Sequence, residues 1–125
     1  MNKTQLHMLK EALADWVGLW EVVRITGEDP DMNGDELRIA VLTSVRELLD
    51  GGLIMAGDLG STAFTPWNIT PEMAVSRIES EWLQLRGESN IGDICWFANT
   101  ADGSELAQQL IRSDEVARLQ RFADA

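Results

Sequence analysis

Residues 94–106 decide the fold and read Ile-Cys-Trp-Phe-Ala-Asn-Thr-Ala-Asp-Gly-Ser-Glu-Leu. The apolar and aromatic run over residues 94–100 predicts a buried strand. Ala101-Asp102-Gly103 is typical of a turn, and Ser104 is a suitable N-cap for the helix that follows. The stretch therefore predicts a strand, a tight turn and a C-terminal helical segment over residues 104–124.

Upstream of this stretch, apolar residues recur every three or four positions in three segments. These segments predict helices over residues 4–26, 35–50 and 70–86. Residues 53–56 predict a short strand, and residues 57–69, which contain glycines and a proline, predict a loop. Because two or three short strands are not stable alone, they must pack on the helices. The predicted class is α+β and mostly helical, a single domain over residues 1–125 with a small two- or three-stranded antiparallel ribbon packed on helices.

The N-terminal helix over residues 4–26 carries one apolar stripe, with Thr4 as its N-cap and Gly27 at its end. The stripe consists of Leu6, Leu9, Leu13, Trp16, Trp20 and Val23. Both of its tryptophans are therefore expected to face the core, as is Trp82 in the helix over residues 70–86. Asp15 is also a suitable N-cap, so a break near Ala14 is an alternative.

The 125-residue chain has a formal net charge of −11, and residues 28–36 hold five acids and no base. This negative field repels nucleic acid and attracts basic protein surfaces. A hydrophobic content of 45% is typical of a folded globular protein. The sequence has no apolar run long enough to span a bilayer and no visible signal peptide, and its single Cys95 cannot form an internal disulfide. A cytoplasmic location is expected.

Three segments together resemble winged helix-turn-helix domains. Residues 46–54, Arg-Glu-Leu-Leu-Asp-Gly-Gly-Leu-Ile, are similar to that family's leucine-rich helix followed by glycine and Leu-Ile. The helix over residues 70–86 resembles the recognition helix in its placement. Residues 92–110 are similar to the wing strand, Thr-x-x-Gly turn and closing helix. The resemblance covers about residues 35–110 and implies a winged-helix-like core that binds DNA.

The charges of the resembling segments do not favour DNA binding. Residues 72–86 offer Arg77, Gln84 and Arg86 but also three glutamates, and residues 87–92, the wing, hold one acid and no base. Recognition of DNA depends on cationic contacts to phosphates. Since a fold does not fix a function, a DNA-binding transcriptional regulator is the alternative and protein binding is the favoured interpretation.

Asp29, Asp31, Asn33 and Asp35 alternate along the acidic loop and resemble the start of an EF-hand calcium loop. Ala40 stands where a bidentate glutamate would close such a site. Two interpretations follow from this pattern. Either the loop holds a cation weakly, or it is solvated and Asn33 or Asp35 caps the next helix.

The remaining candidate residues have ordinary structural interpretations. His7, the only histidine, is predicted at the surface, and Cys95 is predicted to be an inert packing group. Phe64 and Trp67 are either anchors in the core or an exposed contact patch. The sequence contains no nucleophile, phosphate-binding or metalloprotease motif, so we predict no enzyme, no catalytic residue, no cofactor and no metal ligand.

The favoured hypothesis is a non-catalytic, acidic, winged-helix-like domain that acts through contact with another protein. Residues 28–36 would meet a basic partner surface, as in toxin-immunity proteins. The helix over residues 4–26 would support a homodimer. The alternatives are a DNA-binding regulator and a weak calcium-binding protein.

Overall fold

The computed structural model describes residues 1–85 and 94–123. The elements of this part of the chain are, in order, α1 (Lys3–Glu11), β1 (Val17–Gly18), α2 (Leu19–Thr26), α3 (Gly34–Asp50), β2 (Ile54–Leu59), β3 (Phe64–Pro66), α4 (Pro71–Gln84), β4 (Trp96–Asn99) and α5 (Ala101–Ala123). The predicted α+β, mostly helical class is confirmed. The antiparallel sheet has four strands in the described residues rather than the predicted two or three.

The apolar run over residues 94–100 supplies a central strand of this sheet, as its composition predicts. The strand order is β1-β4-β2-β3. Phe97 in β4 pairs with Val17 on one side and with Ala56 on the other. Because β4 has a neighbour on each side and Phe97 is only 1% exposed, this strand links the sheet to the core.

Residues 57–69 contain a β-hairpin, so their interpretation as a loop is wrong. β2 continues to Leu59, and β3 returns beside it with Leu59 opposite Phe64 and Gly57 opposite Pro66. Gly57 also pairs with Trp96 of β4. Pairing of Gly57 with both neighbouring strands, and of Asp58 with Thr65, thus overrides the low strand propensity of these two residues.

The single helix predicted over residues 4–26 is also wrong, because β1 separates α1 from α2. Gly18 has an extended backbone, and Leu19 donates its N–H to the carbonyl oxygen of Cys95 at 3.0 Å. Pairing with β4 therefore interrupts the helix. The apolar stripe is broken at the same point, and Trp16 and Trp20 do not share the buried face of α1.

Side-chain caps start four of the five described helices. They are Asn2 for α1, Asn33 for α3, Thr70 for α4 and Thr100 for α5, and each accepts a backbone N–H from the first turn. The caps at Asn33 and Thr70 are confirmed predictions. Asn2 and Thr100 replace Thr4 and Ser104, which were the predicted caps.

Gly103 is a packing residue, and the turn predicted at residues 101–103 is wrong because α5 already begins at Ala101. A Cβ atom at position 103 would overlap the carbonyl oxygen of Leu53. Glycine is therefore required by the close approach of α5 to the chain entering β2. Thr100 stabilises the same close approach, because its hydroxyl donates to the carbonyl oxygen of Gly52 at 2.6 Å.

The core lies between one face of the sheet and the helices. Its largest fully buried side chains are Phe97, Met8, Leu9, Leu19, Leu48 and Ile78. The predicted inner positions Val41, Val45 and Leu48 of α3 are buried, and Trp82 of α4 packs against this core as predicted. Among the described helices, none is both long and apolar enough to cross a membrane.

Candidate protein-interaction surface

The two faces of the sheet follow from the strand register. Paired residues of antiparallel strands share a face, and neighbours along a strand alternate between faces. The inner face carries Val17, Ile54, Ala56 and Phe97, and all four are buried against the helices. The outer face carries Met55, Leu59, Phe64, Pro66, Trp96 and Ala98.

The outer face is apolar and incompletely covered. Each of its six side chains is half-buried, and its two further strand positions are Gly18 and Gly57. None of these eight residues is charged. A sheet face of this kind normally packs on a second layer, yet no described element buries its side chains fully.

Three indoles gather at the β1 edge of the outer face. Trp20 and Trp96 meet above Gly18, where a Cβ atom would lie 2.6 Å from the Trp20 ring and 3.3 Å from Cη2 of Trp96. Trp16 joins Ala98 in the wall of a shallow cavity of about 320 Å³. We call Trp16, Trp20 and Trp96 the tryptophan surface.

Two members of the tryptophan surface are strongly exposed. Trp16 retains 40% of its surface and Trp20 retains 45%. The prediction that both face the core is therefore wrong. A signal for Trp16 was present in the sequence, since positions 16 and 18 alternate as in a strand and place this indole on the same side as Gly18.

Carboxylates border this surface. Asp15 is exposed, and its Oδ1 accepts the backbone N–H of Trp16 at 2.8 Å. Glu21 follows Trp20, and its Oε1 lies 3.7 Å from Nε2 of His7 and 3.8 Å from Nη2 of Arg24. We call Asp15 and Glu21 the acidic rim.

Phe64 and Trp67, the other predicted contact residues, differ in their surroundings. Phe64 lies on the outer face, whereas Trp67 packs against the core. The guanidinium of Arg77 stacks on the Trp67 ring, with Cζ 3.9 Å from the ring centroid. The carboxylate of Glu81 lies 3.8 Å from Nε of the same arginine. Trp67 therefore belongs to a stack beside the core whose charged members, Arg77 and Glu81, keep 44% and 42% of their side chains exposed.

The acidic loop has the geometry of a capped, solvated segment. Asn33 accepts the N–H of Glu36 at 2.8 Å, as one of the two sequence interpretations predicts. Asp29 accepts the N–H of Asp31 at 3.0 Å, and Asp35 points one oxygen at Arg38 at 3.1 Å. Within the described residues, no group of three or more His, Cys, Asp or Glu side chains could hold a metal ion.

His7 and Cys95 are both more buried than a surface histidine or a reactive thiol would be. His7 was predicted at the surface, but its side chain on α1 is only 25% exposed and faces Glu21 of α2. Cys95 is fully buried, and its Sγ donates to the carbonyl oxygen of Trp96 at 3.4 Å. Burial raises the pKa of the Cys95 thiol well above its ordinary value. This thiol is a packing group, as predicted.

The DNA-reading positions suggested by the resemblance are only partly described. The guanidinium of Arg77 contacts Trp67 and Glu81, and Gln84 is the last residue of α4. Arg86 and the wing over residues 87–92 lie outside the described residues. The winged-helix resemblance stays a prediction.

No protein-family model, curated protein or solved structure matches this chain.

Proposed function

We propose that this chain is a non-catalytic module that binds another protein through the outer face of its sheet and the tryptophan surface. The observation that carries the proposal is the exposure of Trp16 and Trp20, 40% and 45%, beside an uncharged apolar sheet face. Tryptophan is among the residues most enriched at the energetic centres of protein interfaces.

The size of the surface supports a protein partner. With strands about 4.8 Å apart and residues about 3.3 Å apart along a strand, the outer face measures roughly 14 by 20 Å. A standard interface buries about 800 Å² on each partner. By these dimensions the outer face covers about 280 Å², roughly a third of such a contact, and the exposed indoles of Trp16 and Trp20 add to it.

The charges favour a protein over DNA as the partner. Arg77, the one described arginine among the predicted DNA-reading residues, is held between an indole and a carboxylate. The net charge of −11 opposes approach to phosphates. The acidic loop over residues 28–36 would add long-range attraction for a basic protein. A cytoplasmic location is part of the proposal and is supported by the single, buried Cys95.

The test compares two double variants with equal loss of exposed apolar surface. Trp16→Ala/Trp20→Ala removes the exposed indoles, and Met73→Ala/Leu83→Ala removes two side chains of α4 that are 57% and 59% exposed. Immobilised protein captures partners from a native lysate, and quantitative mass spectrometry measures each captured protein. We expect at least about a tenfold loss of a specific partner with the tryptophan variant only, since such anchors contribute about 2 kcal/mol or more.

Equal capture by the two variants would contradict the proposal. The mass of the wild-type protein in solution, measured by light scattering, gives a second readout. A dimer that the tryptophan variant abolishes would identify a second copy as the partner and would replace the heterologous partner proposed here.

A further inference from the structure

The molecule contains one complete example of how its indoles hold a cation. In that example Arg77 lies over the ring of Trp67 at 3.9 Å, and Glu81 lies 3.8 Å from the guanidinium. The indole face and the carboxylate act on the same positive charge. A cation above an indole is attracted by the negative face of the ring, and a nearby carboxylate adds to this attraction.

The tryptophan surface supplies indoles and the acidic rim supplies carboxylates, which are two of the three components of this arrangement. Trp16 and Trp20 present exposed indoles, and Asp15 and Glu21 stand next to them in sequence. Arg24 and His7 approach Glu21, but Asp15 takes part in no ion pair among the described residues. A cation of a partner beside Asp15 would complete the same arrangement of indole, carboxylate and positive charge.

The net charge of the chain favours a positively charged partner over a second copy of the same chain. Two copies that each carry a net charge of −11 repel each other, and the acidic rim would face a second acidic rim. A positively charged partner is attracted instead. Apolar contact with the outer face and cationic contact with the rim are then made by one segment.

We infer that the partner's contacting segment is cationic and places arginine side chains over the exposed indoles of Trp16 and Trp20, with their guanidinium groups toward the acidic rim. This inference rests on the proposed function and names its partner class. Arginine fits better than lysine because its guanidinium is planar, stacks on aromatic rings and is more weakly hydrated than an ammonium group.

The test follows the indole N–H signals of the full chain by NMR while peptides are added at low ionic strength. The probes are hexa-arginine, hexa-lysine and the uncharged isostere hexa-citrulline. We expect hexa-arginine to shift the signals of Trp16 and Trp20 and to leave that of Trp67 in place, because Trp67 already carries Arg77. Hexa-lysine should bind about threefold more weakly, and hexa-citrulline should cause no shift.

Two matched variants separate a local effect from net charge. Asp15→Asn and Asp31→Asn each remove one negative charge, and asparagine at position 15 keeps the acceptor for the N–H of Trp16. We expect Asp15→Asn to raise the dissociation constant for hexa-arginine about threefold. Asp31→Asn should raise it by less than about 1.5-fold. Equal weakening by the two variants, or the absence of a shift at Trp16 and Trp20, would overturn the inference.

The outcomes also separate this inference from the proposed function. If hexa-arginine leaves the indole signals unchanged while Trp16→Ala/Trp20→Ala still loses its captured partner, only the cationic partner is wrong. If the tryptophan variant also retains every captured protein, the binding surface itself is wrong.

Discussion

The inner and outer faces of the sheet are built from the same strands and are both apolar, but only the inner face is buried. Phe97 points inward and is 1% exposed, whereas its neighbour Trp96 points outward and is half-buried. At the edge, Val17 is 1% exposed while Trp16 and Trp20 retain 40% and 45% of their surfaces. The difference indicates that the fold is completed by the inner face, so the outer face is available for another protein.

The largest expected effect comes from the inner face. Phe97→Ala removes a fully buried ring, so the free energy of unfolding should fall by about 3–5 kcal/mol. Urea denaturation followed by far-UV circular dichroism measures this change. A loss below about 1 kcal/mol would mean that the inner face is not the structural core.

A second prediction concerns Cys95, which directly precedes β4 and belongs to the core. Because burial raises the pKa of its thiol, the unfolded thiol ionises first as the pH rises. The contribution of this group to stability is therefore fully present below its ordinary value of 9.0 and is lost progressively above it. Denaturation midpoints measured from pH 7 to pH 10 test this direction.

Cys95→Ala is the control for that measurement. The variant should lose the part of the decline above pH 9.0 that belongs to the thiol. A wild-type thiol that reacts with Ellman's reagent at the rate of a free thiol under native conditions would show that Cys95 is not buried.

On the outer face, truncation should leave the fold nearly unchanged. Trp16→Ala/Trp20→Ala should lower the free energy of unfolding by only about 1 kcal/mol, because 40% and 45% of their surfaces are already exposed to water. Acrylamide quenching of tryptophan fluorescence should also decrease, since the accessible indoles have been removed. A loss comparable to that of Phe97→Ala would place these indoles in the core after all.

The smallest effect is expected away from both faces, at the acidic loop. Lys3 hydrogen-bonds Glu28 and holds the pKa of that carboxyl below its ordinary value. Lys3→Gln should return the Glu28 pKa toward its ordinary range, as followed by carboxyl NMR signals during a pH titration. The pair contributes where Glu28 is ionised, above its ordinary value of 4.5, and the contribution disappears as the pH falls. Because both groups are exposed, thermal stability at neutral pH should hardly change.

The sequence predicted the parts of the fold that local patterns determine. The strand within residues 94–100, the capped helix after Thr70 and the cap at Asn33 all depend on neighbouring residues, and each is confirmed. Pairing between distant segments was not predictable in this way. Leu19 bonds to Cys95, 76 positions further along the chain, and this contact converts part of an apparent helix into β1.

The candidate surface was missed for the same reason. Trp16 and Trp20 fit a helical stripe at spacings of three and four, and only the pairing of β1 with β4 turns them outward. Gly103 is a second example, because its sequence context is typical of a turn while its role is set by the carbonyl group of Leu53. Compositional signals, such as the five acids over residues 28–36, identify a charged loop but not the surface that binds.

The most direct measurement places a photo-crosslinking amino acid at position 20 and, in a separate variant, at position 83 on α4. Both positions are exposed, at 45% and 59%, but only position 20 belongs to the tryptophan surface. After irradiation in cells, we predict a discrete crosslinked product with one partner protein from position 20 and none from position 83. Products of equal yield from both positions, or from position 83 alone, would contradict the assignment of the outer face as the binding surface.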